Sequence, residues 1–372
     1  MKYLKWIFLL IMIKFLQNCV AFGENPKKIY LETIKKSKNF DLEKNEFINR
    51  EPKVIDEMHK RSLSFKGIKE YLFGGGDYRK PTDILPEVKP NMNEFLEKSD
   101  NIKFIWFGHS TFLVHIEGKI LLFDPVFSGS AAPFSTMVKR FQKIVLSLEE
   151  LPVIDYILIS HDHYDHLDYE TMLFFKNKKT KFITGLGVGS HLRYWGIEED
   201  RIEELDWWEK SKYSDLNIYF TPAQHFSGRK GFDGNKTLWG SYVIKGKVQS
   251  FYFSGDSGYD VHFKNIGEKF GPFDLSFIEN GQYDELWKEV HILPEETVIA
   301  YKDLKSKALV PVHWGMFDLA LHNWFDPIER LEKASEGKNI NLYTPKFGQI
   351  VEVNKQTIFE KWWKKYIPFN RS

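Results

Sequence analysis

The fold of this sequence is decided by one stretch, Ile159-Ser160-His161-Asp162-His163-Tyr164-Asp165-His166-Leu167-Asp168. It follows an apolar segment that predicts a strand. His161 and His163 are two apart, so at a strand end both rings can face one side and hold one metal ion. Asp165 and His166 follow where a helix is expected to begin, and they suit a second ion. The stretch therefore predicts a site for two metal ions, unlike the single-helix His-Glu-x-x-His pattern of metalloproteases.

Two ions need further ligands and a bridging group, and three single residues follow other predicted strands. They are His225, Asp256 and His313. Loops at one edge of a sheet can bring such residues into one cleft while the strands stay rigid. The recurrence of this placement is what favours a shared site, because a lone histidine is often only a core residue.

Three more residues are candidates for supporting positions. Asp124 also ends a predicted strand, and we expect it to orient a ligand histidine through the ring nitrogen that does not bind metal. The alternative is a simple turn, since an aspartate before proline is common there. His109 and His322 are expected to face the cleft, His109 in support of a ligand and His322 toward the substrate.

The order of elements predicts a mixed α/β domain over residues 101–365. Residues 103–107, 112–116 and 119–123 are separated by glycines and predict an antiparallel meander. No short repeat or linker divides the region. Further strands are predicted at 153–160, 181–184, 217–221, 241–244, 250–253, 275–278 and 308–312, and helices at 169–176 and 294–305.

The N-terminal residues are different in character. Residues 1–23 are basic, then apolar, and too short in their apolar part to span a bilayer, which predicts an export signal. Leu16-Gln17-Asn18-Cys19 resembles a bacterial lipoprotein signal with Cys19 as the lipidated residue, although Asn18 replaces the usual small residue. The alternatives are cleavage after the region 21–23, an uncleaved tail, and a cytoplasmic or peripheral membrane protein. Residues 24–100 predict an irregular extension that wraps the domain.

Composition narrows the class of partner. Lysine and arginine (52) nearly balance aspartate and glutamate (51), so we expect no nucleic-acid partner. Hydrophobic residues make up 42% of the chain, which is enough for a packed core. Cys19 is the sole cysteine, so no intramolecular disulfide can form. Oligomeric state stays open.

The candidate ligands occur in an order that resembles the metallo-β-lactamase superfamily, which implies a four-layer αββα sandwich. Four stretches further resemble the N-acyl-phosphatidylethanolamine-hydrolysing phospholipase D group: 106–111, 221–225, 235–240 and 312–317. The resemblance implies one zinc ion on His161, His163 and His225, a second on Asp165, His166 and His313, and Asp256 as the bridge. Manganese or iron would also fit such ligands.

The activity implied is hydrolysis of a membrane phospholipid to phosphatidic acid and an N-acylethanolamine, with Asp165 and Asp256 directing the attacking water. Trp314 is expected to contact the substrate, and other tryptophans could line an acyl groove or belong to the core. Two alternatives stay open. One is a hydrolase of the same fold acting on a lactone or another phosphodiester, and the other is an inactive metal-binding scaffold.

Overall fold

The structure is a computed structural model that describes residues 19–231, 233–355 and 358–368. Residues 1–18 of the predicted export signal lie outside the described residues. Among the helices of the described part, none is both long and apolar enough to pass through a bilayer.

Residues 24–100 form short elements that pack on the rest of the chain. The side-chain amide of Asn49 donates to the carbonyl of His225 at 2.8 Å and accepts from its N–H at 3.1 Å. The division at residue 100 stays a prediction. The elements are α1 (Lys28–Ile34), β1 (Phe40–Asp41), β2 (Glu46–Phe47), α2 (Val54–Ser62), α3 (Phe65–Phe73) and α4 (Met92–Leu96).

Two mixed sheets follow, one of seven strands in the order β14-β3-β4-β5-β6-β7-β8 and one of five in the order β13-β12-β11-β10-β9. Their strands are β3 (Lys103–Trp106), β4 (Phe112–Ile116), β5 (Lys119–Phe123), β6 (Tyr156–Ile159), β7 (Lys181–Gly185), β8 (Ile202–Leu205), β9 (Asn217–Thr221), β10 (Ser241–Lys245), β11 (Ser250–Phe253), β12 (Leu275–Glu279), β13 (Leu309–Val312) and β14 (Ile350–Glu352). The later helices are α5 (Tyr169–Phe175), α6 (Gly189–Tyr194), α7 (His262–Phe270), α8 (Pro294–Asp303) and α9 (Asp326–Ser335).

The sheets pack face to face because their strands carry apolar residues on both sides. Phe112 stacks on Phe277 of the other sheet with ring centroids 4.0 Å apart. Leu113 points the opposite way and belongs to a second core with Met172 of α5 and Leu192 of α6. Helices thus cover the outer face of the first sheet, and α8 packs on β12 of the second. This is the four-layer sandwich that the sequence predicts.

Most predicted strands are confirmed, and the meander β3-β4-β5 is antiparallel as expected. The strand predicted at 153–160 is shorter, because Val153 is exposed and Asp155 uses its carboxylate to accept from the N–H of Ile120. Strand β8 was not predicted. It lies at a sheet edge and carries Glu203 and Glu204 at its centre, which hides the apolar pattern.

The topology explains why polar residues converge at one edge. Strands β5 and β6 are parallel in the first sheet, and β11, β12 and β13 are parallel in the second. The carboxyl ends of these strands therefore share an edge, where α/β proteins generally place their sites. Residues 160–168 form the loop between β6 and α5 at this edge.

Candidate metal centre

Three imidazoles form the first half of the centre. Nε2 of His161 lies 2.9 Å from Nδ1 of His163, and Nε2 of His225 lies 3.2 Å from the same nitrogen. Donor atoms about 2.0 Å from a tetrahedral ion are separated by about 3.3 Å, so the three nitrogens have the spacing of one ligand set. They satisfy the geometric criterion for a group that could hold a metal ion.

Asp165, His166 and His313 form the second half. Oδ2 of Asp165 lies 3.4 Å from Nε2 of His166 and 3.2 Å from Nε2 of His313. Asp256 stands between the two halves. Its Oδ2 is 3.1 Å from His166, 3.0 Å from His313 and 3.8 Å from Nε2 of His161. A carboxylate in that position faces both halves at once. The structure thus brings together all seven residues that the sequence proposes as ligands.

Asp124 lies directly behind the ligand histidines. Its Oδ2 is 2.7 Å from Nδ1 of His166 and accepts from the hydroxyl of Ser160 at 2.6 Å. Its Oδ1 accepts from the backbone N–H of Ser160 at 2.7 Å, and the same hydroxyl is 2.9 Å from Nδ1 of His161. A partner that holds Nδ1 of a ring leaves Nε2 free to bind metal. Orienting a candidate ligand in this way is the role expected of Asp124.

Backbone strain accompanies the centre. His109, Asp124 and His313 all have positive φ angles, of 52°, 37° and 68°. Such conformations cost about 1–3 kcal/mol each in non-glycine residues and tend to occur at functional sites. His109 uses its position to place Nε2 2.8 Å from Oδ2 of Asp165, so it contacts a ligand candidate as expected.

Glu279 and His291 belong to the centre, and the sequence analysis missed both. Glu279 is buried, its Oε1 hydrogen-bonds to Nδ1 of His291, and it lies 3.1 Å from Nδ1 of His313. Glu279 ends β12 at the same sheet edge. A search for polar residues at strand ends would have found it if glutamate had been included beside histidine and aspartate. His291 follows an irregular segment, and no periodic pattern marks its position.

The charges in the cluster depend on one another. Burial alone would raise the pKa of Asp256, but the charges of His166 and His313 outweigh it and hold that pKa well below its usual range. Burial lowers the pKa values of His161 and His225 well below the ordinary histidine value. Burial would lower the pKa values of His166 and His313, but the carboxylate of Asp256 outweighs it and raises both well above the ordinary histidine value, which favours protons on these two rings. A divalent cation would offset the same carboxylates in place of those protons.

Buried atoms without partners provide a test of whether metal fits. Within the described part of the chain, Nε2 of His166 and Oδ1 of Asp256 are buried and have no hydrogen-bond partner. Unpaired buried polar atoms are costly, so their recurrence here needs an explanation. Imidazole and carboxylate donors suit zinc, and manganese or iron as well. The residues fit a pair of divalent ions.

Comparison with known proteins identifies the family. A family model described as the β-lactamase superfamily domain matches residues 119–314, more than half of the chain. The chain belongs to the β-lactamase superfamily. It is a hydrolase of the metallo-β-lactamase fold, and its His and Asp clusters could bind metal.

Relatives within the superfamily include an uncharacterized protein of Mycobacterium tuberculosis, 40% identical over 290 residues, which cover 77% of each chain. The N-acyl-phosphatidylethanolamine-hydrolyzing phospholipase D 1 of Caenorhabditis elegans is 36% identical over 269 residues, 67% of this chain and 75% of that protein. The similarity to the phospholipase D group that the sequence motifs indicate is thus confirmed. The structure of a metallo hydrolase from Ignicoccus hospitalis aligns with a TM-score of 0.55 and 21% identity, covering 69% of this chain and 100% of that one, and shows the fold.

A pocket of about 430 Å³ opens onto the candidate metal centre. Its floor includes His163, Asp165, Asp256, His291 and His313. Its walls are largely apolar and come from several separate parts of the chain, including the N-terminal extension. The apolar lining consists of Met58, Leu63, Tyr71, Phe226, Trp287, Val290 and Leu319.

Trp314 and His322 lie elsewhere. Trp314 is fully buried and stacks on Trp362 with centroids 5.5 Å apart, so it belongs to the core rather than to the pocket. Nε2 of His322 accepts from the backbone N–H of Gln282 at 3.0 Å, and its ring does not line the pocket. Neither residue therefore lies where a substrate contact was expected. The tryptophan that does line the pocket is Trp287, which no motif marks.

Proposed function

We propose that the protein is a dinuclear-metal phosphodiesterase of the phospholipase D type. Its substrate would be N-acyl-phosphatidylethanolamine or a similar lipid, and its products phosphatidic acid and an N-acylethanolamine. The observation that carries the proposal is a largely apolar pocket that opens onto the cluster of seven ligand candidates and is lined by four of them, His163, Asp165, Asp256 and His313. The similarity to a relative named for hydrolysis of this lipid supports the choice of substrate.

In this proposal, His161, His163 and His225 hold one zinc ion, and Asp165, His166 and His313 hold the other. Asp256 contacts both, as its distances to the two halves permit. When bound, the ions lower the pKa of a shared water toward neutrality and so supply the nucleophile.

The chain's own residues direct the chemistry. Asp165 and Asp256 accept hydrogen bonds from the attacking water and fix its direction toward phosphorus. A bond forms between the water oxygen and phosphorus, and the bond from phosphorus to the ethanolamine oxygen breaks. The departing oxygen keeps the electron pair and needs a proton. We assign its donation to His291, which lines the pocket and is held by Glu279.

The pocket also explains how a lipid could be distinguished from a small ester. Phe226, Trp287 and Val290 offer an apolar wall directly beside the centre, suited to the N-acyl chain. The substrate carries three acyl chains, which exceed what about 430 Å³ can enclose. In this account the glycerol-linked chains therefore stay outside the pocket.

We further propose that Cys19 carries a lipid anchor. The residues after it are part of the domain: the carbonyl of Val20 accepts from Nε1 of Trp195 at 2.8 Å, and that of Ala21 accepts from Nη2 of Arg229 at 2.7 Å. Processing before Cys19 preserves these bonds, whereas cleavage after the region 21–23 removes both. Mass spectrometry of the mature N-terminal peptide tests this, and an N-terminus beyond Ala21 would contradict it.

Incubation of the zinc-loaded full chain with N-acyl-phosphatidylethanolamine vesicles, with products followed by mass spectrometry, tests the activity. We expect phosphatidic acid and N-acylethanolamine from the unmodified protein and neither from His161→Ala, with circular dichroism confirming that the variant is folded. Two bound zinc ions without lipid products would reject the substrate. If a soluble phosphodiester such as bis(p-nitrophenyl) phosphate is not cleaved either, the result favours a scaffold.

A further inference from the structure

Helix α3 carries its apolar side toward solvent. Phe65, Ile68 and Leu72 follow an i, i+3, i+7 spacing that places them on one face. On a surface helix such a face normally packs on the core. Here Phe65 is 87% exposed and Leu72 62%, and Phe73 at the end of the helix is 81% exposed. An exposed apolar cluster of this kind marks a contact surface.

The packing of α3 fixes this orientation. Gly67 is the buried residue of the helix, and a Cβ there would clash with the backbone carbonyl oxygens of Arg61 and Ser62. The face of α3 that packs on the protein is thus the face that carries Gly67, which has no side chain. Ser64 caps the helix, its hydroxyl oxygen accepting from the N–H of Gly67 at 3.0 Å. The outward apolar face is therefore a consequence of close backbone packing.

Helices α2 and α3 form a helical hairpin, and this hairpin forms part of the rim of the pocket. Arg61 pairs with Glu289, and the hydroxyl of Ser62 donates to the carbonyl of Leu286 at 2.9 Å, which attaches α2 to the segment beside His291. Leu63 and Tyr71 are both exposed, and both line the pocket. The apolar surface of the hairpin is thus continuous with the pocket wall.

Positive charge accompanies the apolar residues. Lys60, Lys66 and Lys69 are exposed and form no ion pair with any residue of the described ranges. Glu70 is the exposed acidic residue of α3. Lysines beside an exposed apolar face favour binding of the helix to an anionic lipid surface.

We propose that α3 and the end of α2, residues 60–73, are the membrane-docking surface of this protein, with an anionic bilayer as the occupant. Phe65, Leu72 and Phe73 enter the interface while the lysines meet the headgroups. The pocket mouth then faces the bilayer, so a lipid can reach the centre while its remaining chains stay in the membrane. The inference rests on the proposed function for its choice of a lipid occupant.

A local probe tests the docking in the full chain. In a Cys19→Ser background, Phe65→Cys is labelled with an environment-sensitive dye and mixed with vesicles of phosphatidylcholine and phosphatidylglycerol. We expect a blue shift and protection from an aqueous quencher. The matched control is Val153→Cys, since Val153 is 86% exposed and lies before β6, at the end away from the centre. Equal behaviour of the two labels would overturn the proposal.

A second variant removes the surface without touching the centre. We expect Phe65→Glu/Leu72→Glu to weaken vesicle binding about tenfold or more while turnover of a soluble phosphodiester is unchanged. A dye shift without lipid hydrolysis would leave the docking surface in place and reject only the substrate. Unchanged vesicle binding, with light scattering showing that the variant turns a dimer into monomers, would mean that the surface joins two copies and would overturn the proposal.

Discussion

Asp124 shows how one residue controls the presentation of a ligand. Its Oδ2 holds Nδ1 of His166 while its Oδ1 fixes the backbone of Ser160, one residue before His161. Both contacts need an acceptor, and a carboxylate supplies acceptors at both oxygens. Orientation of two ligands thus depends on a residue that need not bind metal itself.

Asp124→Asn is therefore expected to reduce zinc affinity about 10- to 100-fold, since the amide presents one donor where an acceptor is needed. Competition with a chromophoric chelator measures the affinity. Asp274→Asn, at the amino-terminal end of β12, is the matched control and should bind zinc normally. Normal affinity in Asp124→Asn would show that the contact to His166 does not matter.

His291→Ala should separate proton donation from metal binding. We expect kcat on N-acyl-phosphatidylethanolamine to fall about 10²- to 10⁴-fold, because the leaving oxygen loses its proton donor. Zinc content, measured by plasma mass spectrometry, should be unchanged. A parallel loss of zinc would instead make His291 a ligand.

The convergence of the seven ligand candidates could be predicted from the sequence because each follows a strand, and strands are marked by their apolar pattern. Glu279 shares that placement and contacts His313 directly, whereas its other partner, His291, lies on an irregular loop that no pattern marks. Trp314 illustrates the opposite error. It is adjacent to His313 in the chain, yet the positive φ of His313 and the packing of Trp314 on Trp362 direct it into the core.

Among the elements, the N-terminal segments shape the site more than their irregular sequence indicates. Composition predicts an extension, and no periodicity predicts that α2 and α3 would line the pocket. Their contacts are to residues more than two hundred positions away, such as Ser62 to Leu286. Tertiary pairing of this kind leaves no local pattern. Strand β8 was missed because Glu203 and Glu204 interrupt its apolar pattern. Helix α7 was missed although Phe263, Ile266 and Phe270 follow a regular helical spacing.

Asn49→Ala tests the dependence of the centre on this extension. The change removes both hydrogen bonds to the backbone of His225 and one of the two acceptors for Nε1 of Trp239. Because these groups are buried, we expect the free energy of unfolding to fall by about 1–3 kcal/mol. Urea denaturation measures it. Asn265→Ala, exposed on α7, should stay close to the unmodified protein, and an equal loss in both variants would contradict the account.

For the whole molecule, the centre joins the two sheets. Residues 161–166 follow β6 of the first sheet, whereas His225, Asp256 and His313 follow strands of the second. Ions held by both sets would connect the layers at the edge where the sheets meet. Ligands that bind only the folded state raise its stability according to their concentration and affinity.

Removal of metal should therefore lower the melting temperature. We expect a decrease of about 5 °C or more on treatment with a chelator, reversed by added zinc. Differential scanning calorimetry measures it. His161→Ala removes a proposed ligand of one ion and leaves those of the other, so its zinc-dependent shift should be clearly smaller. A zinc-dependent shift of full size in that variant would show that the stabilising ion binds elsewhere.

The most direct test of the central claim is an anomalous difference map from crystals of the zinc-loaded protein, recorded on both sides of the zinc absorption edge. The account predicts two peaks, each surrounded by three further side chains and both in contact with Asp256. A single peak, or a peak held by Glu279 and His291, would contradict it.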